Sequence, residues 1–150
     1  MADMVNHPPH YTSHPSGVEC IQITVNLPWP DNKLSPNARV HHFVLARAKA
    51  KAKSAANILA FLAYREIGRP QIIGAVDVQI TFNPPDNRRR DIDNMLASNK
   101  AALDGVSAAI GVDDSRWDLR LSRGDVVKHG RVVVQITPRA VALPVMGHIT

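Results

Sequence analysis

AVDVQITFNPPDNRRRDIDNMLASNKAALDGVSAAIG, residues 75–111, is the stretch whose reading decides the fold. Val76, Val78, Ile80 and Phe82 alternate with Asp77, Gln79 and Thr81, the period of a half-buried strand. Pro84-Pro85 ends it, because proline brings no donor to a ladder. Past three arginines, Ile92, Met95, Leu96, Asn99, Leu103, Val106 and Ile110 recur every three or four positions, and Gly111 stands where a helix would turn left-handed and stop. The pattern predicts one helix over 92–110.

Upstream, Ile21, Ile23, Val25 and Leu27 alternate with Gln22, Thr24 and Asn26 until Pro28-Trp29-Pro30 stops the strand. Asp31 to Asn37 reads as a loop. From Ala38 to Ile67 the chain is alanine-rich, and Phe43, Ala46 or Arg47, Ala50, Ile58, Phe61 and Leu62 at near-helical spacing predict a long helix with Gly68 as its stop. Downstream, Trp117, Leu119 and Leu121 form one alternating run and Val132, Val134 and Ile136 another; the connection through Gly124, Lys128, His129 and Gly130 predicts an antiparallel hairpin. The expected fold is α/β of the α+β kind, a small mixed sheet in the order β-α-β-α-β-β with two helices packed on it. Residues 1–19, with three prolines and no apolar period, read as a flexible arm, 20–138 as the domain and 139–150 as a tail.

A chain of 150 residues, 45% hydrophobic and 21% charged, fits a single globular domain. No apolar run is long enough for a membrane span, and Met1-Ala2-Asp3 lacks the plan of a signal peptide, so a cytoplasmic protein is expected. Cys20 is alone, which excludes an internal disulfide and a thiolate zinc site. No phosphate-cradling glycine loop, nucleophile elbow or H-E-x-x-H is present, so no nucleotide cofactor is expected.

The net charge of +5 permits a polyanionic partner, and its distribution says more. Arg39, Arg47, Lys49, Lys51 and Lys53 precede any acid in the long helix, and Arg88-Arg89-Arg90 stand before the second one. Unpaired like charges on the helix repel one another, so these basic residues are expected to meet nucleic-acid phosphates. Inside this basic body lies an acidic island, Asp91, Asp93, Asp104, Asp113 and Asp114 with only Lys100 among them. Clustered carboxylates repel a nucleic acid unless a divalent cation sits between. Helix capping accounts for one of Asp91 and Asp93 but not for both. If Asp91 is extended and Asp93 lies in the first helical turn, the two carboxylates can converge on a hard cation, with Asp113 or Asp114 arriving from the loop after the helix. Such ligands suit Mg²⁺, with Mn²⁺ as a substitute. Asp93 shares its helical face with Ala97, Lys100 and Asp104.

Arg88-Arg89-Arg90-Asp91-Ile92-Asp93-Asn94, Lys100-Ala101-Ala102-Leu103-Asp104 and Gly111-Val112-Asp113-Asp114-Ser115, preceded by Leu27-Pro28-Trp29-Pro30 and Leu34-Ser35-Pro36-Asn37, resemble the RusA family of Holliday junction resolvases over residues 20–137. The resemblance implies a small homodimeric endonuclease, often encoded by phages or prophages in a bacterial host, that nicks four-way junction DNA symmetrically with Mg²⁺. It implies that Asp91, Asp93 and Asp114 are the metal-binding catalytic acids and Lys100 the catalytic lysine, although Lys100 lies about one helical turn farther from Asp93 than the family spacing. Residues 4–21 instead resemble the opening of another small phage protein family. Two further readings share these residues, a junction-binding protein that does not cut and a general nuclease for flaps or single strands.

Overall fold

The computed structural model describes Thr12, Ser13 and residues 19–142. Its main elements are β1 (Ile23–Pro28), α1 (His42–Glu66), β2 (Gln71–Asn83), α2 (Ile92–Ser98), α3 (Lys100–Ile110), β3 (Trp117–Arg123) and β4 (Arg131–Ala142). Among the described residues no helix is long and apolar enough to cross a membrane. Most of the arm expected over 1–19, and residues 143–150, lie outside the described residues; Thr12–Ser13 and Glu19–Cys20 pair as a two-residue antiparallel ladder.

The α+β expectation holds. A four-stranded mixed sheet runs β1-β4-β2-β3, with β4 antiparallel to both β1 and β2 and β3 parallel to β2. The alternating runs bury their apolar side: Ile23, Val25, Val76, Val78, Ile80, Phe82, Val132, Val134 and Ile136 are each at most 1% exposed. Each such side chain contributes about 1.5–3 kcal/mol, so this face supplies most of the hydrophobic stabilisation. It joins Ala56, Ala60, Leu103, Val106 and Ile110 of the helices in one core.

Four expectations need correction. The last two strands are not a hairpin, because β3 lies parallel to β2 on its outer edge while β4 pairs along the other edge. The strand-helix-strand order from β2 through the helices to β3 is the one that gives a parallel neighbour. Residues 124–130 then cross the end of β2, tied by Gly124 N to the Phe82 carbonyl at 2.8 Å and by Asn83 Nδ2 to the Asp125 carbonyl at 3.0 Å. The helix expected over 92–110 is two, broken at Asn99, whose buried amide donates to the Met95 carbonyl at 2.8 Å while Ser98 Oγ donates to the Asn94 carbonyl at 2.8 Å. Ser and Asn side chains that compete for helical carbonyls bend helices in this way. The last strand continues past Pro138 to Ala142, and Arg139 Nη2 reaches Asp77 at 2.7 Å and Asp118 at 2.6 Å, so the start of the expected tail is part of the sheet.

The fourth correction concerns α1. It starts at His42, capped by His41 Nδ1, and not at Ala38, and apolar residues whose spacing predicted the helix point outward: Phe43 is 68%, Ile58 58% and Leu62 48% exposed. Ala56 and Ala60 face inward instead. The cause is Gly105 of α3, which sits so close to α1 that a Cβ there would collide with the Lys53 carbonyl oxygen. Asn57 Nδ2 donates to the Gly105 carbonyl at 3.1 Å across the same contact. Two helix backbones this near leave little room for large side chains, and the residues of α1 buried there are Ala56 and Ala60.

Gly105→Ala tests this contact. A mid-helix alanine ordinarily gains about 0.5–1 kcal/mol over glycine, but here the methyl meets fixed backbone, and overpacking of that kind costs about 1–3 kcal/mol. The urea midpoint should therefore fall; an unchanged or raised midpoint would show that the helices are farther apart.

Candidate active site

The segment before α2 is pinned by Arg90. Its guanidinium holds the Asp86 carboxylate at 2.8 Å, donates to the Asp86 and Arg88 carbonyls at 3.3 Å, and lies over the Trp29 ring at 5.4 Å. Its backbone carbonyl accepts from Arg123 Nη1 at 2.6 Å. The Arg90 bond, with the Arg88 backbone amide, holds the Asp86 carboxyl below the usual carboxylate range. Of the three arginines expected at DNA, Arg90 is thus spent as a brace, whereas Arg89 is exposed and the Arg88 side chain is 83% exposed.

Asp91 follows as the residue that opens α2. Its backbone is extended, φ −78° and ψ 135°, as the sequence reading required, and its carboxylate makes no capping hydrogen bond. It faces a cavity of about 590 Å³ between the Asp31–Asn37 loop and α2. Asp93, in the first turn, faces another cavity of about 540 Å³, which it shares with Lys49, Lys100 and Asp104. The break at Asn99 therefore leaves Asp93, Lys100 and Asp104 on one side of the two helices.

The loop after α3 returns to this side. Gly111 takes φ 69°, the Ser107 carbonyl accepts from both Gly111 N and Val112 N, and Ser107 Oγ donates to the Val112 carbonyl at 2.7 Å. Asp113 caps the next short turn by accepting from Ser115 N at 3.0 Å, and the Ser115 hydrogen bonds hold its carboxyl below the usual range. Asp114 is left to meet Lys100, whose Nζ lies 2.7 Å from Asp114 Oδ2 and 3.2 Å from Asp104 Oδ1. The Asp114 bond, opposed by slight desolvation and aided by Asp104, raises the ammonium pKa. Between the two adjacent aspartates, one is a cap and the other faces the lysine. Asp104, which shares the Asp93 face, is Lys100's second partner.

Asp91, Asp93 and Asp114 do not close into one cluster here: among the described residues no three His, Cys, Asp or Glu side chains are grouped to hold a metal ion. The basic residues of α1 are also divided. At about 100° per residue, Arg47 and Lys51 share one side and Lys49 and Lys53 nearly the opposite one. Lys49 opens onto the Asp93 cavity, and Lys51 onto a smaller one of about 280 Å³ beside Trp29 and Leu34. All four are exposed and have no ion-pair partner among the described residues.

No family model matches the chain. An uncharacterized protein of Xylella fastidiosa (strain Temecula1 / ATCC 700964) is 40% identical over 124 residues, 81% of this chain and 80% of the relative. The crossover junction endodeoxyribonuclease RusA of Escherichia coli (strain K12) is 33% identical over 118 residues, 76% of this chain and 92% of the relative. The chain belongs to the RusA family. The RusA protein of Enterobacteria phage 82 is 31% identical over 117 residues, 75% of this chain and 92% of that protein. Residues of this RusA-family chain that the sequence reading missed are polar rather than charged. Asn32, Asn37 and Asn94 line the Asp91 cavity, and nothing in their spacing marks them, because the loop and the helix that bring them together are far apart in sequence.

Lys100 offers a direct check. A lysine whose folded pKa is raised adds stability that is complete below its unfolded pKa and fades as pH climbs through the folded one. The Lys100–Asp114 contact should therefore persist through neutral pH and part only in strongly alkaline solution. NMR titration of the Lys100 side chain should show a raised pKa that falls back in Asp114→Asn; equal values in the two proteins would show that the pair does not form.

Proposed function

We propose that this chain is a Mg²⁺-dependent, structure-selective endonuclease that resolves Holliday junctions by paired symmetric nicks, acting as a homodimer in recombination and repair. The observation that carries the reading is the pairing of Lys100 with Asp114, which joins two motifs lying on opposite ends of α3. Family membership supports the class of reaction, since the RusA relatives are crossover junction endodeoxyribonucleases. The donor set fits a hard cation in kind: Asp91 spends nothing on capping, and Asp114 already holds an ammonium at 2.7 Å. Asp91, Asp93 and Asp114 would hold Mg²⁺, which when bound offsets phosphodiester charge and makes water acidic enough to attack near neutral pH. Lys100 then orients the attacking water or balances transition-state charge. Arg88, Arg89 and the cations of α1 hold flanking phosphates, which fixes position without reading sequence. The homodimer has a surface available in the outward Ile58, Phe61 and Leu62 of α1, an apolar patch that a two-fold copy would cover.

Asp91→Asn, Asp93→Asn and Asp114→Asn should each slow nicking of a four-way junction by about 100-fold or more, equivalent to a few kcal/mol of barrier, while binding stays equal or tightens. Asp104→Asn should cost less. Binding without any nicking, indifferent to Mg²⁺, would indicate a protein that only holds junctions; equal cutting of flaps and junctions would indicate a general nuclease.

Arg88 and Arg89 have a separate test. Replacing both by alanine should flatten log affinity against log salt by up to about 1.8 per chain, about 0.9 for each phosphate that is no longer neutralised. Arg90→Ala should instead lower thermal stability, because its guanidinium braces the segment before Asp91. A slope flattened by about 0.9 per chain in Arg90→Ala, with unchanged stability, would reverse these roles.

A further inference from the structure

We infer that Lys49 of α1 is a further catalytic residue, the free cation that meets the phosphodiester being cut. This rests on the endonuclease reading and gives one α1 lysine a part in the chemical step, beyond the holding of flanking phosphates. The cavity of about 540 Å³ that Asp93 faces is lined by two acids, Asp93 and Asp104, and two cations, Lys49 and Lys100. The cations differ in what they already hold. Lys100 Nζ lies 2.7 Å from Asp114 Oδ2 and 3.2 Å from Asp104 Oδ1, so its charge is matched by two carboxylates and an entering phosphate would have to share it. Lys49 is exposed and has no ion-pair partner among the described residues. Hydrolysis bonds a water oxygen to the phosphorus and breaks the bond to one sugar oxygen; the water gives up a proton, the leaving oxygen takes one up, and a phosphate monoester and a hydroxyl result. Negative charge grows on the phosphoryl and leaving oxygens on the way, and a cation not committed to a carboxylate stabilises it most. Lys49 supplies that charge and keeps its own protons, while Lys100 orients the water.

An exposed lysine is ordinarily a charge on a mobile stem, but the base of this one is fixed. Lys49 lies four residues before Lys53, one turn along the same side of α1 and about 6 Å away along the axis. The Lys53 carbonyl is the group that α3 approaches at Gly105, and Asn57 Nδ2 continues the contact by donating to the Gly105 carbonyl at 3.1 Å. Gly105 adjoins Asp104, which with Lys100 and Ala101 forms the α3 side of the cavity wall. The backbone under Lys49 is therefore placed against α3 about one turn from the closest point between the helices. Its neighbours on α1 are directed elsewhere. Arg47 and Lys51, two residues to either side, lie about 200° around the helix, and Lys51 lines the cavity beside Trp29 and Leu34. Of Arg47, Lys49, Lys51 and Lys53, Lys49 is the one on the wall that carries Asp93 and Lys100.

The test uses the full chain with Mg²⁺ and a four-way junction, with nicking followed in a single turnover at saturating protein and affinity measured in Ca²⁺. Lys49→Ala should slow the saturated nicking rate about 100-fold, the order that loss of one preorganised donor costs, while affinity falls far less. Lys49→Arg should restore much of the rate. Lys51→Ala and Lys53→Ala should act more on affinity than on the saturated rate. A Lys49→Ala protein that cuts within about threefold of the wild-type rate once saturated would make Lys49 a flanking contact and overturn the proposal. An equal loss of rate in Lys51→Ala would overturn it too, since the effect would then belong to the charge of the helix and not to the cavity. If the wild type binds junctions but cuts none, the endonuclease reading falls first, and Lys49 is then judged by its contact alone. NMR of the lysine side chains in Ca²⁺ should show the Lys49 signal moving more than those of Lys51 and Lys53 as a junction is added; a Lys49 signal that stays in place would sink the proposal.

Discussion

The near contact of two helix backbones, α1 and α3 at Gly105, governs the rest of this structure. Because a Cβ at Gly105 would meet the Lys53 carbonyl, α1 packs beside it through the small Ala56 and Ala60, and Ile58, Phe61 and Leu62 are left outside. The same contact fixes α3 relative to the sheet, since Asn57 of α1 bonds the Gly105 carbonyl and Val106 and Ile110 continue into the core. With α3 fixed, both its ends are fixed: Lys100 at the first residue, and the Gly111-Val112 turn that brings Asp114 back toward it.

The charges divide into braces and free groups, and type alone does not predict which is which. Arg90 and Arg139 have guanidiniums that hold carboxylates, whereas Arg89, Lys49 and Lys51 lie open. Asp86 and Asp113 are consumed by their neighbours' hydrogen bonds, whereas Asp91 keeps its carboxylate out of the cap position it occupies. In each pair the residue with local partners serves the fold and the one without them is free for a ligand.

The strands were legible because period two over buried positions such as Val76, Val78, Ile80 and Phe82 has no competing explanation. The extended backbone of Asp91 was legible too, because a helical Asp91 would have pointed away from Asp93. The inner face of α1 was not. Spacing alone makes Ile58 and Leu62 look like core, and the reason they are not lies in Gly105, about fifty residues away in sequence. The parallel placement of β3 was present in the strand-helix-strand order, but the turn-like Gly124 and Gly130 favour a hairpin when read alone. Gly124 in fact lets the chain pass Asn83, whose side chain a Cβ would strike. The break at Asn99 was hidden because Asn99 falls on the buried stripe. Its amide nevertheless has to find a carbonyl there, and it takes that of Met95 from within the helix.

That break bears on the long interval between Asp93 and Lys100. In one straight helix, extra residues would rotate the lysine around the axis and lengthen its distance from the acid by about 1.5 Å each. Here the chain leaves helical geometry at Asn99, φ −100° and ψ 1°, and starts again at Lys100, so the direction of α3 is set by its packing on α1 and not by continuation of α2. The added length is absorbed at a joint. The lysine stays on the Asp93 side of the molecule because Gly105 holds α3 there, and Asp114 completes its ion pair from the other end. An acidic island in a basic chain is costly to assemble by sequence proximity alone. This fold joins its later members, Asp104 and Asp114, through Lys100 across a single tightly packed helix, and leaves Asp91 and Asp93 on separate cavities beside α2.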